Sequence, residues 1–84
     1  PNPFNPQTTI AFELPILEAV TLRVFDMAGR LVKSLITAEP HTPGRHEVVW
    51  NGRDDTGRQV ASGTYFYRLE AGSFSDTKRM VLLK

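Results

Sequence analysis

Apolar residues recur along this chain at every second position. Ile10, Phe12 and Leu14 alternate with Ala11 and Glu13, and Val20, Leu22 and Val24 alternate with Thr21 and Arg23. A period of two places the apolar set on one face of an extended strand. Leu31 to Ile36 continues the pattern. His46, Val48 and Trp50 alternate with Glu47 and Val49, and Tyr65, Tyr67 and Leu69 alternate with Phe66 and Arg68. Val60 marks a further short strand, and Phe74 to Leu83 the last one. No segment carries a helical stripe long enough to stand alone.

Turn residues separate these runs. In Asp26-Met27-Ala28-Gly29-Arg30 the aspartate can bond its own turn backbone and Gly29 can adopt positive φ, so the segment reads as a type I turn closed by a glycine bulge. Thr37 to Pro43, broken by Pro40 and Pro43-Gly44, reads as a longer loop. Asn51 to Arg58 is dense in turn formers, and Ala71-Gly72-Ser73 makes a hairpin. Seven short strands, with turn signals about every 8–12 residues, predict an all-β, seven-stranded antiparallel immunoglobulin-like sandwich. Ahead of it stand three prolines in Pro1-Asn2-Pro3-Phe4-Asn5-Pro6. Proline fixes φ and removes a donor, so residues 1–7 read as a semi-rigid linker with Phe4 as its anchor, leading into a domain over 8–84.

Composition narrows the function. Eighty-four residues make one small domain, too small for a deep cleft between two lobes. Ten basic residues face nine acidic ones, and a net charge of +1 gives no footprint for nucleic acid or an anionic membrane. No apolar run approaches the ~20 residues that cross a bilayer as a helix. The absence of cysteine removes disulfides, thiolate metal sites and cysteine nucleophiles. The chain opens at Pro1 without an initiator methionine or signal peptide, and reads as a piece of a longer protein.

Candidate chemistry is sparse. Ser62, His46 and Asp54 can be named as a triad, but neither their spacing nor a nucleophile elbow supports it, and His41 lies in a proline-rich loop. Asp54 and Asp55, with Asn51 and Gly57, offer oxygen ligands for calcium, yet Arg53 falls where a ligand is wanted and a plain turn explains the same residues. Trp50, Tyr65, Phe66, Tyr67 and Phe74 are numerous enough for a sugar platform. Trp50, Tyr65 and Tyr67 share parity with aliphatic neighbours and belong to the core, which leaves Phe66 and Phe74 for an outer face. The chain therefore reads as non-catalytic, without cofactor or metal.

The last residues carry more. In Lys78-Arg79-Met80-Val81-Leu82-Leu83-Lys84 both parities are apolar: Met80 and Leu82 share one face, Val81 and Leu83 the other. One pair fills the core and the other needs a second cover, either within the domain or on a partner added at the strand edge.

Five segments in order resemble a known family: the proline-rich opening, Asp26 to Arg30, Trp50 to Gly57, Val60 to Leu69, and Lys78 to Lys84. They resemble the type A C-terminal sorting domain of the type IX secretion system. They are equally similar to the immunoglobulin-like domain of the flagellar hook-capping protein. The sorting resemblance implies a seven-stranded immunoglobulin-like fold and an address for an N-terminal passenger. The expected partners are an outer-membrane translocon, its β-barrel shuttle and a sortase-like peptidase. The destination, reached through the periplasm, is the cell surface or the medium. The resemblance assigns recognition to Lys78, Met80, Val81, Leu82, Leu83 and Lys84. It assigns family-motif or turn roles to Asp26, Gly29, Arg30, Gly57, Gly63 and Tyr65. The hook-capping resemblance implies instead a structural spacer or assembly module of a surface or flagellar protein. An accessory glycan-binding domain of a secreted hydrolase is the third reading.

Overall fold

The computed structural model describes residues 6–83; the expectations for residues 1–5, Phe4 included, and for Lys84 lie outside them. The described residues are all-β, with six strands: β1 (Thr8–Leu14), β2 (Glu18–Phe25), β3 (Leu31–His41), β4 (Gly44–Trp50), β5 (Gly63–Ala71) and β6 (Phe74–Leu82). They form two antiparallel sheets, a pair β1-β4 and a four-stranded sheet in the order β3-β2-β5-β6.

The inward faces follow the alternation. Ile10, Phe12 and Leu14 of β1 meet Val20, Leu22, Ile36, Leu69 and Ala71 of the larger sheet. A second cluster of Val24, Trp50, Tyr65 and Leu82 fills the other end, with Val60 and Met80 packed against it. Burying such side chains contributes about 1.5–3 kcal/mol each, the main term holding so small a domain together.

The structure corrects three sequence expectations. Among the described residues there are six strands, not seven: Val60 is no strand residue. The segment makes a single bridge, Arg53 to Gln59, and Val60 donates its N–H to the Gly52 carbonyl at 2.9 Å. Its apolar side chain plugs the Trp50 cluster from a loop, which periodicity cannot separate from a short strand. The Thr37–Pro43 segment is mostly strand, since β3 runs on to His41. Pro40 is tolerated because β3 is a sheet edge, where no neighbour asks for its missing N–H. A register shift between Val20 and Leu22 absorbs Thr37 and Ala38, with Ala38 at φ 48° and its N–H accepted by Thr21 Oγ1 at 3.1 Å. Finally, β6 ends at Leu82, one residue earlier than the pattern predicts.

The free side of β3 is covered locally. Asp55 donates its N–H to the Val32 carbonyl at 3.0 Å and accepts the Ser34 N–H on Oδ1 at 3.1 Å. A loop thus stands where another strand would pair. At the same end of the sandwich, the Pro6 carbonyl and Leu82 both lie against Gly52, so the described ends of the chain emerge together.

Candidate functional site

The terminal strand divides as its alternation dictates. Leu82 is 1% exposed, in the core with Trp50 and Tyr65, and Met80 is half-buried against both apolar clusters. Leu82 is therefore not a surface group of the folded domain, which corrects its assignment to partner recognition. Packing claims it because β6 pairs with β5 through Gly63↔Leu82 and Tyr65↔Met80, which turns both toward the opposing sheet. Val81 and Leu83 point the other way, 55% and 75% exposed. Lys78 is exposed and stands 4.0 Å from Asp76, a loose surface pair of little energetic weight.

Two turns share one construction that the sequence reading did not single out. Asp26-Met27-Ala28-Gly29-Arg30 and Asp54-Asp55-Thr56-Gly57-Arg58 are both Asp-x-x-Gly-Arg. In each, the aspartate N–H donates to the arginine carbonyl and the glycine N–H to the aspartate carbonyl. In each, Oδ1 of the aspartate accepts N–H groups from the second and fourth residues on. Gly29 at φ 82° and Gly57 at φ 89° occupy the left-handed region that closes the turn. Comparing the two five-residue segments would have exposed the repeat.

The hydrogen bonds fix the charges of these aspartates. The Arg30 backbone N–H, with the Arg30 guanidinium behind it, holds Asp26 below the usual carboxylate range. The Thr56 hydroxyl, 2.6 Å away, does the same for Asp54, with the Arg58 and Thr56 N–H groups adding to it. Asp55 Oδ1 faces the Ser34 N–H and, at 3.7 Å, the Lys33 ammonium. One carboxylate oxygen of each aspartate considered for calcium is thus bonded to donors, and among the described residues no three side chains of metal-ligating type converge.

The histidines are likewise engaged. His46 donates from Nε2 to the Thr42 carbonyl at 2.7 Å and stacks on Phe12, 5.4 Å between centroids. His41 donates from Nδ1 to the Glu39 carbonyl at 3.0 Å. Asp54 hydrogen-bonds within its own turn, so the structure gives His46 and Asp54 separate partners.

Tyr65 sits at the start of β5, and its hydroxyl donates to the Ala61 carbonyl at 2.6 Å. A tyrosine bonded back to the backbone four residues upstream is the corner device of immunoglobulin-like sandwiches. Burial pushes its phenol pKa up, and the nearby Asp26 charge adds to this. Gly63, two residues earlier, pairs with Leu82 at the strand's first register position.

Comparison with known proteins bears on fold and family. The family model described as the FlgD Ig-like domain matches residues 4–74. No curated protein matches the chain. A crystal structure of FlgD from P. aeruginosa superposes with a TM-score of 0.70 at 22% identity, over 90% of this chain and 59% of that one. At that identity the likeness is one of fold, and the chain spans less than two thirds of the FlgD structure.

Proposed function

Because the chain belongs to the FlgD Ig-like domain family, we propose that it is a non-catalytic structural module of a flagellar hook-capping protein. The observation that carries this reading is the match over residues 4–74, which takes in β1 to β5 and both Asp-x-x-Gly-Arg turns. Two physical features agree with it. The leading aspartates of the turns, Asp26 and Asp54, bond to their own turn backbone and hold its shape. Both described ends of the chain lie beside Gly52, at one end of the sandwich.

Removing this domain in frame from its parent gene tests the reading. Hook assembly, followed by electron microscopy, is expected to fail. Grafting in the corresponding sandwich of the P. aeruginosa protein is expected to restore it in part, because a structural module is replaceable by its shape. Normal hooks without the domain would overturn the proposal.

The sorting reading keeps one observation in its favour: Val81 and Leu83 stand exposed on the terminal ribbon. Under it the parent travels through the periplasm, and the translocon, shuttle and peptidase meet Lys78, Val81, Leu83 and Lys84. A fluorescent reporter fused ahead of this chain, in a host with the type IX apparatus, separates the two. Export to the medium supports sorting, and retention in the periplasm supports the structural module.

A further inference from the structure

The outer face of the four-stranded sheet carries a pattern that neither core packing nor the turns explain. One rung runs across all four strands, Leu31↔Phe25↔Phe66↔Arg79. The rung beside it is Arg23↔Arg68↔Thr77. Leu22, Val24, Tyr65 and Leu69 point into the core, so the intervening residues of β2 and β5 point out. The Arg68 guanidinium lies over the Phe25 ring, 4.8 Å from its centroid. Around the rings lies a hollow of about 200 Å³ bounded by Met27 and Thr77. Met27, Leu31 and Val81 stand 69%, 50% and 55% exposed.

The charges on this face do not balance. Arg23 and Arg68 sit directly opposite each other, an arrangement that costs stability when nothing intervenes. Glu70 reaches Arg23 at 3.7 Å. Asp26 borders the hollow, but its carboxylate is bonded to Arg30 and to its own turn. Among the described residues neither Arg68 nor Arg79 has a carboxylate partner.

We propose that this face docks an extended segment of a protein partner in which acidic side chains alternate with apolar or aromatic ones. Charge complementarity selects the occupant. The two unpaired guanidiniums answer carboxylates, which they can grip in bidentate fashion, while Phe25, Phe66 and the hollow receive an apolar side chain. An open sheet face favours an extended segment, and among the described residues no strand pairs with the outer side of β6, which can align it. A phosphate backbone would want a track of cations, whereas this chain has a net charge of +1 and only a local pair. The inference goes beyond the structural role, and a binding assay on the chain alone tests it without reference to hook assembly.

The probe is a fluorescein-labelled peptide that alternates glutamate with phenylalanine and leucine, titrated by anisotropy. Saturable binding is expected, weakening at least ~10-fold with added salt and with glutamine in place of glutamate. The Arg68→Gln/Arg79→Gln pair and Phe66→Ser are each expected to weaken it about 10-fold, with the thermal midpoint nearly unchanged because these side chains lie outside the core. Amide chemical-shift changes should fall on β2, β5 and β6. Absence of binding, equal affinity for the glutamine peptide, or indifference to both variants would overturn the proposal. So would tighter binding of an oligothymidylate or a polysaccharide that depends on the same arginines, which would assign the face to another class of ligand.

Discussion

The phenol ring of Tyr65 meets the indole of Trp50 nearly edge-on, 5.1 Å between centroids with planes 71° apart. Both rings anchor to loop backbone, Tyr65 through the Ala61 carbonyl and Trp50 through its indole N–H to the Arg53 carbonyl at 2.9 Å. The pair ties the two sheets to the irregular 51–62 segment, which has little regular pairing of its own.

Tyr65→Phe keeps the ring contact and removes the hydroxyl, leaving the Ala61 carbonyl without its donor. A loss of about 1 kcal/mol is expected. In a domain of this size that lowers the thermal midpoint by roughly 4–8 °C. Trp50→Ala empties the centre of the cluster and is expected to cost about 3–5 kcal/mol. Thermal melts followed by circular dichroism measure both, and a Tyr65→Phe variant as stable as the parent would show the corner bond to be idle.

The strands were legible because their apolar residues keep period two where one face meets a core: Ile10, Phe12 and Leu14 on one side, Val20, Leu22 and Val24 on the other. Trp50 and Tyr65 were placed in the core by the same parity, and both are buried there. The failures have physical causes. Pro40 breaks a central strand but not an edge, and the sequence does not say which strands are edges. Val60 is apolar because it plugs a cluster from a loop. Leu82 reads as recognition or core equally well until its register with Gly63 is known. The arginine–phenylalanine face stayed hidden because β2, β5 and β6 come together only through long-range pairing.

Gly52 and Leu82 make a contact with a separable cost. Gly52 has φ +74°, and a methyl group there would stand 3.1 Å from Leu82 Cδ2 and 3.4 Å from the Pro6 carbonyl oxygen. Gly29 has φ +82° and open space around it. Gly29→Ala should therefore cost only the left-handed strain, roughly 1–2 kcal/mol. Gly52→Ala should cost more, because Leu82 must move as well. In a Leu82→Val background, which lacks the intruding Cδ2 atom, much of that excess should vanish. Denaturant unfolding of the four proteins reads the coupling directly, and strict additivity would mean that the two residues do not clash.

Neighbouring positions of β6 should respond in opposite ways. Leu82→Ala is expected to cost about 2–5 kcal/mol, since it opens a cavity beside Trp50. Val81→Asp, on the exposed face, should change stability by no more than about 0.5 kcal/mol. Urea midpoints for the two variants test this. A large loss from Val81→Asp would mean that its face is covered in the isolated chain.

Acid should loosen the two Asp-x-x-Gly-Arg turns together. Hydrogen bonds, from the Arg30 N–H to Asp26 and from the Thr56 hydroxyl to Asp54, lower both carboxyl pKa values in the folded chain. The unfolded chain titrates near the ordinary aspartate value of about 3.9, so it binds protons first as pH falls. The stabilisation is therefore complete above that value and is lost as pH drops through the lower, folded values. The thermal midpoint should hold steady above the ordinary aspartate value and fall as pH drops below it, through the lowered folded values. Asparagine keeps a side-chain oxygen to accept the turn N–H groups but has no charge to titrate. In the Asp26→Asn/Asp54→Asn double variant the midpoint at neutral pH should be lower, and its decline in acid shallower than in the parent. An acid limb of unchanged steepness would place the titrating groups elsewhere.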